Sequence, residues 1–388
     1  MQPDYSFVSP IPPQKSGIAD YADGLIGGLR ALGRTVRVHT QSRYISESTE
    51  DVFPFSEFSV DVSPPERTVY HIGNNQHFHD EQILHFMKNG GIAHLHDFSL
   101  HHIFAHFTYT GDSEIYYALL QKWYGIVFAD SVRDRHDRGR GVFWDSPDVL
   151  SHPLHEEVID PAIAVIVHSH FAQRFIQARF PNKPVYVVPQ RYPQAVPLKR
   201  AENRPLKACV LGFVDPNKCV DKTIRAIARC RDLSINVELD IAGEIHPLCE
   251  KLPTLAEELG VGHQVNFLGK ISQEALLHSF KTYDLCIVLR DPTVGETSAI
   301  VSRAQQYGMP LIVNDVGSYS ELPSFVPKLR LGNDVVQDLS EVLRLWTEQP
   351  ETYRIVARQA YEYACSEASF DKATQEYDRI LQDIRAAT

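Results

Sequence analysis

The sequence predicts two Rossmann-like α/β domains, each a doubly wound parallel sheet. Three observations predict this. Short apolar strands alternate with amphipathic helices from Tyr5 to Asn314, the order that a parallel sheet with crossover helices requires. The chain has 388 residues, long for one core and comfortable for two. Between two such alternating series, residues 189–205 hold four prolines and little periodicity, which suits a linker or hinge.

The first strand is read at 5–9, followed by a turn-rich stretch at 10–20. A helix follows, with Ile18, Tyr21, Leu25, Leu29 and Leu32 at three- and four-residue spacings and a stop near Gly33. Strands are read at 35–40, 68–72, 91–96 and 162–168, with a helix at 172–179. Residues 100–157 carry aromatic-rich helical patterns and the mixed-sign run 130–140. That run reads as a solvated surface insertion, or as an acceptor-binding or membrane-facing loop. The second series has strands at 207–211, 236–242, 265–268, 285–289 and 310–314, and helices at 221–230, 252–259, 273–281 and 297–307. Long helical patterns close the chain at 338–346 and 351–385. The domains are therefore placed at 1–193 and 206–370, with a linker at 194–205. A C-terminal helix, 371–388, packs back on the first domain, and the two domains face a central cleft.

Composition excludes several classes. A formal net charge of −11 argues against nucleic-acid binding, which needs clustered Lys and Arg. All six cysteines lie in the second half without a C-x-x-C pair, so reduced thiols are expected. No apolar run reaches the roughly 18 residues of a membrane span, and any membrane contact is expected to be peripheral. Gly24, Gly27 and Gly28 lack dinucleotide spacing.

The stretch 291–298, Asp-Pro-Thr-Val-Gly-Glu-Thr-Ser, joins an apolar strand to a helix. A small-residue turn at a helix start on the carboxyl edge of a sheet is where parallel α/β proteins bind ligands. Helix-start amides attract phosphate, and the Glu296 carboxylate can accept a sugar hydroxyl. The stretch reads as half of a nucleotide-sugar site.

Several motifs occur in one order: 12–21 (PPQKSGIADY), 95–97 (LHD), 167–169 (VHS), 211–218 (LGFVDPNK), 242–244 (AGE), 267–269 (FLG), 295–298 (GETS) and 315–323 (DVGSYSELP). Together they resemble bacterial glycosyltransferases of family 4, retaining enzymes with the GT-B fold. The resemblance implies a nucleotide-diphosphate sugar as donor, no cofactor and no bound metal. It assigns the chemistry to Glu296, His96 and Lys218. Lys218 would neutralise the leaving diphosphate together with amides near Thr297 and Ser298. Glu296 would hold donor-sugar hydroxyls and balance charge at the anomeric carbon, and His96 would touch the sugar from the first domain.

Further donor contacts are expected at Gly17, Gly212, Glu244, Gly269, Ile271, Gly295 and Glu321. Acceptor contacts are expected at Asp20, Tyr21 and Asp97. Gly17 is expected to permit close backbone approach, and Asp97 to orient His96, cap the next helix or act on the acceptor. Plain structural roles compete at each position: a solvated lysine, a satisfied core histidine, a helix-start carboxylate.

The sequence departs from the wider family at three places. Ala304 replaces a second glutamate that usually holds ribose, Phe213 stands for an arginine, and Cys219 follows Lys218 where glycine is common. The first and second of these departures are shared with the subgroup that carries SGIADY.

Fifteen of the eighteen histidines precede residue 171. His94 and His96 would share one strand face, while His102 and His106 have helical i, i+4 spacing, a pattern that can hold Zn²⁺ or Fe²⁺. The rival readings are thus a metal-dependent hydrolase and a catalytically silent nucleotide-sugar-binding subunit. The favoured reading is a cytoplasmic, metal-independent retaining glycosyltransferase, peripheral at most to the inner membrane. It would transfer to a glycan or lipid-linked oligosaccharide in surface polysaccharide or lipopolysaccharide assembly. Donor sugar, linkage and oligomeric state have no sequence signal.

Overall fold

The computed structural model describes residues 2–388 apart from 43–44, 46–50, 111–113, 194, 200–204 and 333. Residues 194 and 200–204 of the expected linker thus lie outside the described residues. The chain forms two compact units. The N-terminal unit comprises Met1–Pro193, Val294–Thr297 and Phe370–Thr388; the C-terminal unit comprises Gln194–Thr293 and Ser298–Ser369.

The N-terminal unit is built on seven strands: β1 (Tyr5–Val8), β2 (Val36–Thr40), β3 (Val52–Pro54), β4 (Thr68–Ile72), β5 (Ile92–Leu95), β6 (Ala164–Val167) and β7 (Val185–Val187). They are parallel and ordered β3-β2-β1-β4-β5-β6-β7. Strand order reverses between β1 and β4, a topological switch point whose carboxyl side is a ligand crevice in open α/β sheets. β3 and β7 escape sequence reading because each has three residues, too few for a periodicity.

The helices are α1 (Gly17–Ala31), α2 (Gln76–Asn89), α3 (His101–Thr110), α4 (Ile115–Tyr124), α5 (Ile126–Asp137), α6 (Glu156–Ile159) and α7 (His170–Arg179). Ser16 starts α1 by accepting the Ala19 N–H at 3.0 Å, which satisfies one orphan donor. Most of the charge run 130–140 is not a loop but the last turns of α5. Arg138 pairs with Asp134 at 2.7 Å, and Arg133 reaches Glu114 at the start of α4. Solvated pairs of this kind explain the alternating signs.

The C-terminal unit has β8 (Leu206–Leu211), β9 (Val237–Ala242), β10 (Val265–Gly269), β11 (Leu285–Val288), β12 (Leu311–Asn314) and β13 (Lys328–Leu329). Their parallel order is β10-β9-β8-β11-β12-β13, with the switch point between β8 and β11. Its helices are α8 (Val220–Asp232), α9 (Leu252–Glu258), α10 (Gln273–Thr282), α11 (Ala299–Gln306), α12 (Val335–Glu348) and α13 (Pro350–Ser366). α8 buries Ile224 and Ile227 with Leu339 and Leu343 of α12 over the sheet, all fully buried.

The helical pattern read over 351–385 holds two helices, with the break next to residue 371, where the C-terminal helix is expected to begin. α13 ends at Ser366 and a separate C-terminal helix, Phe370–Ala387, begins four residues later. Tyr353, Ala357, Ala360 and Ala364 face one core, and Tyr377, Leu381 and Ile384 face another. The apolar spacing runs on across the break, so periodicity does not reveal it. The C-terminal helix is fixed to the N-terminal unit by Asp378, which accepts two hydrogen bonds from Arg34 at 2.8 Å and one from Tyr5 at 2.7 Å. Among the described residues no helix is long and apolar enough to cross a membrane.

Candidate functional site

His96 and Asp97 follow the end of β5, on the carboxyl side of the N-terminal sheet. Residues two apart on a strand share a face, and the rings of His94 and His96 stack with centroids 4.5 Å apart. His71 of β4 lies 4.8 Å from His94 and 4.9 Å from His96, and His168, just past β6, lies 4.8 Å from His96. Burial pushes all four imidazoles well below their usual pKa, His71 to about 3 and His168 to about 4. They are neutral at pH 7.

Neutrality fixes the tautomers. His168 Nδ1 is 2.8 Å from the Val188 carbonyl, which can only accept, so Nδ1 carries the proton and Nε2 holds a lone pair. That Nε2 lies 3.0 Å from His96 Nδ1, which must therefore donate, leaving a lone pair on His96 Nε2. An acceptor nitrogen of this kind can take a hydroxyl proton or a metal ion. His168, not Asp97, orients His96.

Asp97 instead accepts the Asn74 amide N–H at 2.7 Å, while Asn74 Oδ1 accepts the Ile103 N–H in the first turn of α3. Asn74 performs the capping expected of Asp97 and carries no motif that would have revealed it. Burial raises the Asp97 pKa, the Asn74 amide lowers it, and the charge of Glu296 raises it again. Tyr21 is 3 % exposed, its ring 5.2 Å from His96 and 5.3 Å from His168. It walls the histidine cluster rather than facing an acceptor. Asp20 does sit in the first turn of α1, half-buried.

Val294–Thr297 pack with this unit. Gly295 has φ +78°, and a Cβ there would stand 2.6 Å from the Phe98 ring, so both backbone and contact demand glycine. Glu296 Oε2 accepts the Val294 N–H at 2.9 Å. Ser298 is the N-cap of α11, its hydroxyl accepting from Val301 at 3.4 Å; Glu296 thus precedes the helix and is no helix-start carboxylate. His96, Asp97, Phe98, His168, Gly295 and Thr297 line a small pocket with about 10 Å³ of room for water centres, roughly one water.

In the C-terminal unit Lys218 ends a short turn between β8 and α8, 9 % exposed, and its Nζ donates to the Leu211 carbonyl at 3.2 Å. Gly212, at φ +84°, lets the chain leave β8 in this path; a Cβ there would meet Lys218 Nζ at 3.2 Å. Cys219 has φ 50°. The position after Lys218 therefore has the left-handed backbone that glycine adopts at no steric cost, which explains the family's preference there. Lys222 was not foreseen: its ammonium pairs with Asp291 at 2.7 Å, and the Asp291 N–H donates to Asn217. The turns after β8 and β11 are thereby tied together at the switch point.

The remaining expected residues are spread along the sheet's carboxyl edge. Glu244, after β9, is exposed and pairs with Lys270 at 3.0 Å. Gly269 closes β10 and accepts the Gly243 N–H; Ile271 is half-buried and Glu321 exposed. A Cβ at Gly17 would meet nothing within 4 Å, so the protein's own packing does not demand glycine there. Ala304 is fully buried beside Leu211 and Val301. Of the histidines weighed for a metal, His94 and His96 converge with His71. His102 turns instead to Asn74.

Comparison with known proteins adds to this geometry. Residues 197–363 match the family model described as Glycosyl transferases group 1. D-inositol 3-phosphate glycosyltransferase of Mycobacterium sp. (strain KMS) is 32% identical over 108 residues, 28% of this chain and 24% of that protein. The chain thus aligns with less than half the length of the curated relatives it matches. HepE of Anabaena, solved in complex with UDP, shares the fold with a TM-score of 0.63 at 15% identity, over 99% of this chain and 100% of that one. WaaG, a glycosyltransferase involved in lipopolysaccharide biosynthesis, does so with a TM-score of 0.60 at 15% identity, over 97% and 99%. These likenesses are of fold: two Rossmann-like domains of the GT-B type.

Proposed function

We propose that the chain is a retaining glycosyltransferase that moves a sugar from a nucleotide-diphosphate donor to a glycan or lipid-linked acceptor. The observation that carries the reading is Lys218. It is a nearly buried ammonium at the carboxyl end of β8, beside positive-φ Gly212, inside the segment that matches group 1 glycosyltransferases. The carboxyl edge of a parallel sheet at its switch point is where such folds bind ligands, and an ammonium there can form charge-assisted hydrogen bonds with a diphosphate.

In this reading Lys218 and the amides of Thr297 and Ser298 hold the diphosphate, doing without a metal the charge neutralisation that phosphate departure requires. Glu296 accepts from the donor sugar and offsets positive charge at its anomeric carbon. His96, which lines the same pocket, contributes through its backbone carbonyl near the reacting centre. The bond from anomeric carbon to phosphate oxygen breaks as the bond to the acceptor oxygen forms on the same face. The departing phosphate oxygen takes the acceptor proton. The 10 Å³ pocket is far smaller than a hexose, so sugar binding there requires the Gly295 turn to withdraw from Phe98. WaaG's part in lipopolysaccharide biosynthesis supports a surface-glycan acceptor; a cytoplasmic site of action at the inner membrane belongs to the same proposal.

The test is a thermal-shift panel of nucleotide-diphosphate sugars, since a ligand that binds only the folded state raises its stability. One donor should raise Tm in the wild type. Lys218→Ala should weaken that shift, and Glu296→Ala should keep it while turnover falls at least 100-fold. Unchanged turnover in Glu296→Ala, or no donor that shifts the wild type, overturns the reading.

A further inference from the structure

We propose that His71, His94 and His96 form a buried site for one divalent transition-metal ion, zinc being the ion their donor set suits best. The site is separate from the phosphate chemistry above, which uses no metal.

The first support is placement. His71 and His94 are register partners on the adjacent strands β4 and β5, and His96 follows on the same face. Three imidazoles are therefore presented by neighbouring strands of a sheet, not by loops. One nitrogen from each lies within 4.8 Å of the others. An ion centred among three atoms at that spacing would be about 2.8 Å from each, so each ring must close in by roughly 0.7 Å to reach a Zn–N bond of ~2.1 Å. Side-chain torsions supply such a shift without moving the strands.

The second support is unmet polarity. His71 Nδ1 and Nε2, His94 Nε2 and His96 Nε2 are all buried with no hydrogen-bond partner among the described residues. Buried polar atoms are satisfied in the great majority of native proteins. Four unsatisfied nitrogens in one cluster point to a guest.

The third support is the outer layer. His94 Nδ1 is 2.9 Å from the Tyr377 hydroxyl, and His96 Nδ1 is held by His168, itself held by Val188. Metal-binding histidines characteristically tie their second nitrogen in this way, which aims the first at the ion. The rings are neutral, the form that ligates. Three imidazoles with no carboxylate among them favour zinc over magnesium or calcium. Because Tyr377 belongs to the C-terminal helix, the ion would fasten that helix to β5.

The experiment uses the untagged full chain, stripped with a chelator and then titrated with Co²⁺ and Zn²⁺. One equivalent of Co²⁺ should give the intense visible bands of a four- or five-coordinate nitrogen site, displaced by one equivalent of Zn²⁺. His71→Asn should abolish the bands. Tyr377→Phe, which keeps every ligand, should weaken zinc 10- to 100-fold. His102→Gln should bind as the wild type does. A folded wild type that takes up less than one equivalent, or gives only weak octahedral bands, overturns the proposal whether or not any variant folds. So does a folded His71→Asn protein that binds unchanged.

Discussion

Next to the switch point, the two sheets bury different chemistry in matching places. In the N-terminal sheet, one strand past the switch point, His71 and His94 are register partners across β4 and β5; at the corresponding place in the C-terminal sheet, across β11 and β12, Cys286 is paired with Leu311. All four side chains are fully buried. A buried thiol behaves as a small hydrophobe and asks for no partner. An imidazole keeps one donor and one acceptor that must be met or left costly. The C-terminal sheet is therefore a plain scaffold that presents Lys218 and the start of α11 from its edge. The N-terminal sheet carries polarity through its own centre.

Acid should break the symmetry most strongly. His39 and His101, fully buried in the N-terminal unit and outside the proposed metal site, have pKa values lowered by burial to about 4 and about 3. A histidine depressed in the folded state leaves stability intact above its unfolded value near 6.5, and stability falls as pH drops from there toward the folded value. At pH 5 each should cost about 2 kcal/mol relative to pH 7. Hydrogen exchange resolved by unit is the measurement: amides of β1, β2 and β4 should lose protection between pH 6.5 and 4, whereas those of β8 and β9 should lose much less once intrinsic rates are corrected. Equal loss in both units would remove the distinction between their cores.

A second, smaller effect concerns how the N-terminal unit holds its last helix. Asp378→Asn removes the carboxylate that takes both Arg34 bonds and the Tyr5 bond. Charge-assisted, bidentate bonds are the strong ones, but Arg34 is one-third exposed and solvent screens part of the gain. A loss of about 2 kcal/mol is expected, seen as faster exchange in residues 370–387 with the C-terminal unit unchanged.

The same contrast explains what sequence reading could reach. The alternation of strands and helices, the two-domain division and the turn or helix-start positions of Gly212, Lys218, Gly295 and Ser298 were legible, because alternation, turn residues and helix caps are local signals; the order of strands within each sheet was not. What stayed hidden depends on contacts far apart in the chain. The pairing of Lys222 with Asp291, the capping by Asn74 and the docking of Tyr377 on His94 each join residues at least 29 apart. Tyr21 was legible as apolar and helical, but not as the wall of a histidine cluster, since its neighbours come from β4, β5 and the end of β6. The histidine pattern pointed to His94 and His96 on one face; the third ring, His71, could be found only once β4 and β5 were known to be neighbours.

The smallest effect isolates burial from geometry. Glu376 and Arg379 lie one turn apart on the C-terminal helix, with a contact of 2.6 Å that is tighter than the Arg34 to Asp378 bonds. Both side chains are exposed, at 42% and 60%. Water solvates these charges nearly as well apart as together, and holding two long side chains in one geometry costs rotamer freedom. Glu376→Gln should therefore leave both Tm and exchange in 370–387 unchanged within error, although it deletes the shorter bond. A loss as large as that of Asp378→Asn would mean that the helix is held by its own charge pattern, and that docking through Asp378 and Tyr377 contributes little to keeping it on the N-terminal sheet.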